Sequence, residues 1–177
     1  MVNNRGSRYF DGYQRDLTGK LVYTGPWYGF PAPGQQRRVK GLCAVWTVLL
    51  LTGEVLAQFF PSAGGMARYM AIPSLLSLVP LMFWLMGMAQ LLVAKDKWEL
   101  RVFYSGHRRL ERSAVVLLAV SLGWVLCEAV FLLGHVHQAA GEIRYGLCVL
   151  LIAGASLGMV LTLKKHPPQV VQGPLIR

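Results

Sequence analysis

A chain of 177 residues with 54% hydrophobic and only 15% charged residues departs from the makeup of a soluble globular domain. Its formal net charge is +10, but the basic residues flank apolar stretches, where membrane topology and anionic headgroups already account for them. That placement argues against nucleic acid as a partner. The residues outside the stretches are too few to build a second core beyond a small N-terminal segment.

Residues 1–40 hold seven aromatics, Tyr9, Phe10, Tyr13, Tyr23, Trp27, Tyr28 and Phe30, whereas disordered tails are aromatic-poor. Asp16-Leu17-Thr18-Gly19 has turn chemistry, and the flanks Arg8–Gln14 and Lys20–Thr24 carry β-favouring residues, so a small hairpin is expected. Gly25-Pro26 ends any strand, because proline fixes φ and donates no hydrogen bond. Trp27, Tyr28 and Phe30 then sit where aromatics meet lipid headgroups. The segment reads as a partly ordered tail resting on the membrane, or as a docking site for a cytoplasmic partner. No charged-then-apolar leader with a small-residue cleavage site precedes it, which predicts an uncleaved first span.

Four apolar stretches follow, at Gly41–Phe60, Met70–Ala94, Ser113–Gly134 and Tyr145–Leu163. Each is near the ~20 residues that a helix needs to cross ~30 Å of hydrocarbon. Of the 18 Lys and Arg, all but Arg68 and Arg144 lie before the first stretch, between the second and third, or after the fourth. The asymmetry predicts both termini in the cytoplasm. The expected fold is an all-α membrane protein, a four-transmembrane-helix bundle (N-in/C-in) made of two helical hairpins. Its parts are a cytoplasmic segment 1–40, a membrane domain 41–164 and a tail 165–177.

Within the second span, Pro73 and Pro80 predict kinks. Between spans two and three, Lys95–Arg112 mixes six basic residues with Trp98, Phe103 and Tyr104. Ser105-Gly106 is expected to interrupt any helix there, leaving an interfacial turn with its cations on lipid phosphates. Span four carries Gly154, Gly158 and Thr162 at intervals of four, a small-residue ridge for close helix packing within the chain or with a second copy. The two halves also read as a weak parallel repeat. Arg37-Arg38, Glu54, Arg68-Tyr69, Gly87-Met88 and Lys95 recur in order as Arg108-Arg109, Glu128, Arg144-Tyr145, Gly158-Met159 and Lys164.

Chemistry, if any, falls to Glu54 and Glu128, the acidic side chains inside the spans. Each lies about six residues, ~9 Å, from the outer end of its helix, and such a carboxylate is costly unless paired, protonated or wetted. Cys43, Thr47, Glu54 and Gln58 draw a polar stripe on the first helix, and Ser121, Glu128 and His135 draw one on the third. Both stripes are expected to turn inward together. Three readings follow: a polar contact that holds the bundle, a proton or cation site, or snorkelling toward the outer surface or another subunit.

Metal binding at His135-Val136-His137, with Glu128 and Glu142 near, is disfavoured, since the two rings of H-x-H on a helix point to different sides and no third histidine is near. Cys43, Cys127 and Cys148 form no C-x-x-C pair and read as small packing residues. No nucleophile constellation, P-loop, dinucleotide fingerprint or H-E-x-x-H occurs, so neither an enzyme nor a cofactor is expected.

Lys20-Leu-Val-Tyr-Thr-Gly-Pro-Trp-Tyr28, the basic run before span one, and Arg68-Tyr69-Met-Ala-Ile-Pro73 leading to Leu-Val-Pro80 resemble a group of uncharacterised four-helix membrane proteins of clostridia-type bacteria. The resemblance covers residues ~20–165. It implies a bacterial plasma membrane and no particular activity. The reading is a non-enzymatic accessory or assembly subunit of a bacterial membrane complex, in contact with lipid and with another membrane protein or a second copy. The alternative is a small proton- or cation-coupled transporter using Glu54 and Glu128.

Overall fold

The computed structural model describes residues 13–15, 21–32, 34–60, 68–95, 97–134 and 139–172. Three short strands open it: β1 (Tyr13–Arg15), β2 (Leu21–Tyr23) and β3 (Trp27–Gly29). The helices are α1 (Gln35–Phe59), α2 (Arg68–Val93), the single turn α3 (Leu100–Phe103), α4 (Arg109–Gly134) and α5 (Ala139–Lys165), and β4 (Gln169–Gln172) closes the chain. Four helices are long and apolar enough to cross a membrane. Their outward faces carry large apolar side chains, with Val93 84% and Leu133 83% exposed, which is the surface a helix bundle presents to hydrocarbon and not to water.

The helices outrun the apolar stretches, because a helix continues past the hydrocarbon wherever its polar side chains still find partners. α1 starts at Gln35, just after Gly34, whose φ of 77° is left-handed and suits glycine. α5 starts at Ala139, a full turn and more before Tyr145. α2 runs through Pro73 and Pro80 as one helix.

Ser105-Gly106 does not interrupt the chain, contrary to the sequence expectation. It sits in a π-helical turn, Tyr104–Arg108, that joins α3 to α4 without a break. The glycine serves packing instead: a Cβ at Gly106 would lie 3.5 Å from Gln90 Cβ on α2. A π turn absorbs one extra residue in a helix, and such turns collect where a neighbour presses close.

Around the bundle, α5 lies between α1 and α4, and α4 packs along α2. Glycines decide these partnerships. A Cβ at Gly53 of α1 would stand 3.2 Å from the Cys148 carbonyl of α5, and one at Gly87 of α2 would stand 3.1 Å from the Gly106 carbonyl. The second hairpin, α4–α5, packs along its length. The first is splayed: α1 and α2 touch little through their backbones and are joined by side chains. Lys40 Nζ donates to the Leu92 and Ala94 carbonyls at 3.0 and 2.6 Å, and Gln36 Nε2 donates to the Ala94 and Lys95 carbonyls at 3.2 and 2.9 Å. Side chains of α1 thereby satisfy the orphan carbonyls at the C-terminus of α2. Deeper in, the fully buried Trp84 fills the seam, and its indole N–H donates to Thr47 Oγ1 at 2.9 Å.

The described ends of the chain and the α2–α3 connection meet at one end. β1 pairs with β2 antiparallel, with Tyr13 opposite Tyr23. β3 pairs antiparallel with β4, and Tyr28 exchanges two backbone hydrogen bonds with Trp98, at 2.8 and 2.7 Å. Tyr28 stacks on Phe103 at 4.5 Å and Phe103 stacks on His107 at 5.7 Å, while Phe30 meets Trp98 edge-on. Phe30 therefore turns into the core, not toward headgroups. These contacts form a cap over the basic end, continuous with a core cluster that includes Trp84, Trp98, Leu110 and Met159. A second cluster, around Trp124, Val149 and Ile152, occupies the opposite end.

Candidate functional site: buried carboxyls away from the cap

Three acidic side chains of the long helices, Glu54, Glu128 and Glu142, lie toward the second core cluster, whereas Glu111 opens α4 at the basic end. Glu128 of α4 is 3% exposed and Glu142 of α5 is 2% exposed. Glu142 is the carboxyl that Glu128 faces. Gly146 makes room for this approach, since a Cβ there would lie 3.5 Å from Glu128 Cγ. The same face of α5 carries Tyr145, whose hydroxyl accepts the Trp124 indole N–H at 3.2 Å. Tyr145 is within electrostatic reach of Glu54, Glu128 and Glu142. The three carboxyls thus ring one aromatic pair without collapsing into one cluster. Glu54 instead lies at the Ser77 hydroxyl of α2, across the splayed seam. That hydroxyl already donates to the Ser74 carbonyl at 2.7 Å, so it offers Glu54 a lone pair more readily than a proton.

Glu54 and Glu128 therefore stand around a shared tyrosine with different immediate partners. The two polar stripes divide. Thr47 is buried and donates to the Cys43 carbonyl at 2.8 Å while accepting from Trp84, so its role is to hold the seam. Gln58 is exposed. Ser121 is buried but donates to its own helix, to the Leu118 carbonyl at 3.0 Å. His135 and His137 lie outside the described residues. Among the described residues no group of three or more His, Cys, Asp or Glu is placed to hold a metal ion.

The glycine ridge on α5 also divides. Gly158 packs under α1, where a Cβ would stand 2.6 Å from the Trp46 ring, and Thr162 accepts the Trp46 indole N–H at 3.0 Å. Gly154, one turn away, has no atom within 4 Å of where its Cβ would be. The ridge is thus an intrachain contact over Gly158 and Thr162 and an open notch at Gly154.

Sequence reasoning misplaced one residue of interest and passed over another. Glu142 fell in what read as an outer loop, yet its spacing of three and four from Tyr145 and Gly146 places it on their helical face. His107 drew no reading from the sequence. It is 4% exposed, and neither ring nitrogen has a hydrogen-bond partner. Its ring is held by stacking on Phe103, an aromatic contact that spacing alone does not announce.

Chemically, two buried carboxyls side by side are accommodated when a proton or a cation lies between them. Among the described residues the site holds no nucleophile–base pair. Comparison of the chain with protein-family models, with curated proteins and with solved structures finds no match in any of the three.

Proposed function

We propose that this chain is a non-enzymatic accessory or assembly subunit of a bacterial plasma-membrane complex, with both termini cytoplasmic and the cap as its docking face. The observation that carries the reading is the cap itself. Strand β3, the residue pair Tyr28–Trp98 and strand β4 tie three distant parts of the chain into one ordered surface. Ordering each residue costs roughly 1–2 kcal/mol of backbone entropy, and a chain whose only task lay within its helices would have no use for a fixed surface there. The basic partition supports the orientation, and the resemblance of the Lys20–Tyr28 and Arg68–Pro80 segments supports a bacterial membrane.

Photo-crosslinking from the cap tests this. A crosslinker at the exposed Val171 is expected to capture one defined membrane-protein partner in native membranes, while one at the lipid-facing Leu133 captures lipid alone. The reading is overturned when Val171 captures nothing and the chain, extracted with its surrounding lipid, runs at the mass of a single copy.

The burial of Glu128 against Glu142 favours a second reading, a proton- or cation-coupled transporter. In proteoliposomes containing a pH-sensitive dye, that reading expects Glu128→Gln and Glu142→Gln to abolish proton-linked flux in a folded protein. A structural role expects both variants to fold normally and the wild type to show no flux to lose.

A further inference from the structure

Two of the grooves on the outer surface of the bundle next to the cap correspond to one another under the repeat, each taking one helix from either half of the chain. One, of about 460 Å³, lies between α2 and α4. The other, of about 380 Å³, lies between α1 and α5. Their lining pairs Arg38 with Arg109, Leu42 with Ser113 and Gly154 with Phe83 at one common sequence offset. Gly87 and Gly158, which set the two helix–helix contacts beneath the grooves, obey the same offset. The repeat thus reproduces an apolar trough between two helices with basic side chains at its mouth.

The α2/α4 groove is the more sharply divided. Its walls are Val79 and Phe83 on α2 and Val116 on α4, which are 59%, 49% and 51% exposed. Its mouth carries Arg108, Arg109 and Arg112. On α4 and the π turn, the positions 104, 108, 112 and 116 step by four, so a tyrosine, two arginines and a valine run down one face from the cap toward the middle of the span. Arg108 is already engaged, lying 3.5 Å from Glu111 and over the Phe103 ring at 5.8 Å. Arg109 and Arg112 make no ion pair among the described residues. Guanidinium groups bind phosphate oxygens through a planar fork of N–H donors. Apolar walls continuing from them into the bilayer call for a ligand with a phosphate at one end and hydrocarbon at the other.

We propose that the α2/α4 groove is a binding site for one anionic phospholipid, with its phosphate on Arg109 and Arg112 and the upper part of an acyl chain along Val79, Phe83 and Val116. A zwitterionic lipid brings an ammonium to the same mouth and forfeits the charge match. The α1/α5 groove, with Arg38, Lys165 and His166 at its mouth, is the weaker counterpart, because Gly154 leaves its wall incomplete.

Native mass spectrometry of the full chain, titrated with phosphatidylglycerol or with phosphatidylcholine of the same acyl chains, tests the site. One high-affinity phosphatidylglycerol is expected, with phosphatidylcholine weaker. The double variant Arg109→Gln/Arg112→Gln should weaken phosphatidylglycerol about thirty-fold, at about one kcal/mol for each basic residue. Arg37→Gln/Lys164→Gln removes the same charge outside both grooves and should leave binding unchanged. Val116→Trp fills the trough and should exclude lipid while the arginines remain. Inorganic phosphate identifies the other source of the same chemistry: if it competes fully at millimolar concentration, the site reads phosphate alone and the lipid assignment fails. The assignment also fails if the two double variants lose affinity equally, or if phosphatidylcholine binds as well as phosphatidylglycerol. Thermal unfolding of each variant separates a lost site from a lost fold.

Discussion

Trp84 shows what a single side chain does in a bundle of this kind. It is fully buried between α1 and α2, and the Thr47 hydroxyl is the acceptor for its indole N–H. Thr47→Val keeps the shape but removes the acceptor and leaves that N–H buried, so we expect a loss of about 1–3 kcal/mol, read as a lower thermal midpoint in detergent. Gly158 and Gly154 make a sharper pair, since they share a helix and a residue type and differ only in what faces them. Gly158→Leu drives a side chain into the Trp46 ring and should destabilise clearly, overpacking costing typically 1–3 kcal/mol. Gly154→Leu points into an open notch and should leave the midpoint within the scatter of wild type. Equal effects at the two positions would show that α5 approaches α1 by a different face. From sequence the three small residues of this ridge were indistinguishable, because spacing gives the face of a helix but not where along it a large ring such as Trp46 sits.

At the scale of elements, the long helices were legible because apolar length and charged flanks are strong signals. The small elements were legible only in part. The β1–β2 pairing follows from β-favouring flanks around a turn sequence, whereas the β3–β4 pairing joins residues far apart in the chain and leaves no local mark. Ser105-Gly106 misled because its breaker chemistry is offset by packing against Gln90, a tertiary effect that overrides propensity. The hairpin also carries a titratable tie to the rest of the cap. The Tyr13 hydroxyl donates to the Glu99 carboxylate, and this bond, with partial burial, pushes its pKa up from 10.0 to about 12. Burial pushes Tyr23 in the same direction. A folded-state pKa raised above the unfolded value means that the neutral phenol is favoured in the docked hairpin. The stabilisation is therefore fully present below about pH 10 and is lost as pH rises toward 12. Tyrosinate absorbance should show a late step in wild type to which both Tyr13 and Tyr23 contribute, and Tyr13→Phe should lower its amplitude by one tyrosine. An amplitude that Tyr13→Phe leaves unchanged would place Tyr13 away from Glu99.

At the scale of the whole molecule, the two ends have opposite character. One end gathers both described chain ends and most of the described basic side chains around the cap, while the other buries Glu128 and Glu142 beside the second core cluster. Under the proposed orientation, this polarity sets the cations that flank the apolar helices on the cytoplasmic side. The candidate site was legible to the extent that Glu54 and Glu128 stood out as charges in hydrocarbon. Its actual neighbours were not, because Glu142 entered through a helix start that hydropathy placed too late, and Ser77 through a splayed seam that no sequence period encodes. Orientation itself is open to a direct measurement. With Cys43, Cys127 and Cys148 replaced by alanine, Gly64→Cys and Ala140→Cys should react with an impermeant maleimide in intact cells, whereas Arg101→Cys and Val171→Cys should react only after permeabilisation. The opposite pattern would put the cap outside the cell, where it could not dock to a cytoplasmic-side partner and where the arginines of the α2/α4 groove would face the wrong leaflet. One labelling experiment thus bears on the basic partition, the docking face and the lipid site together, because all three rest on the cap lying in the cytoplasm.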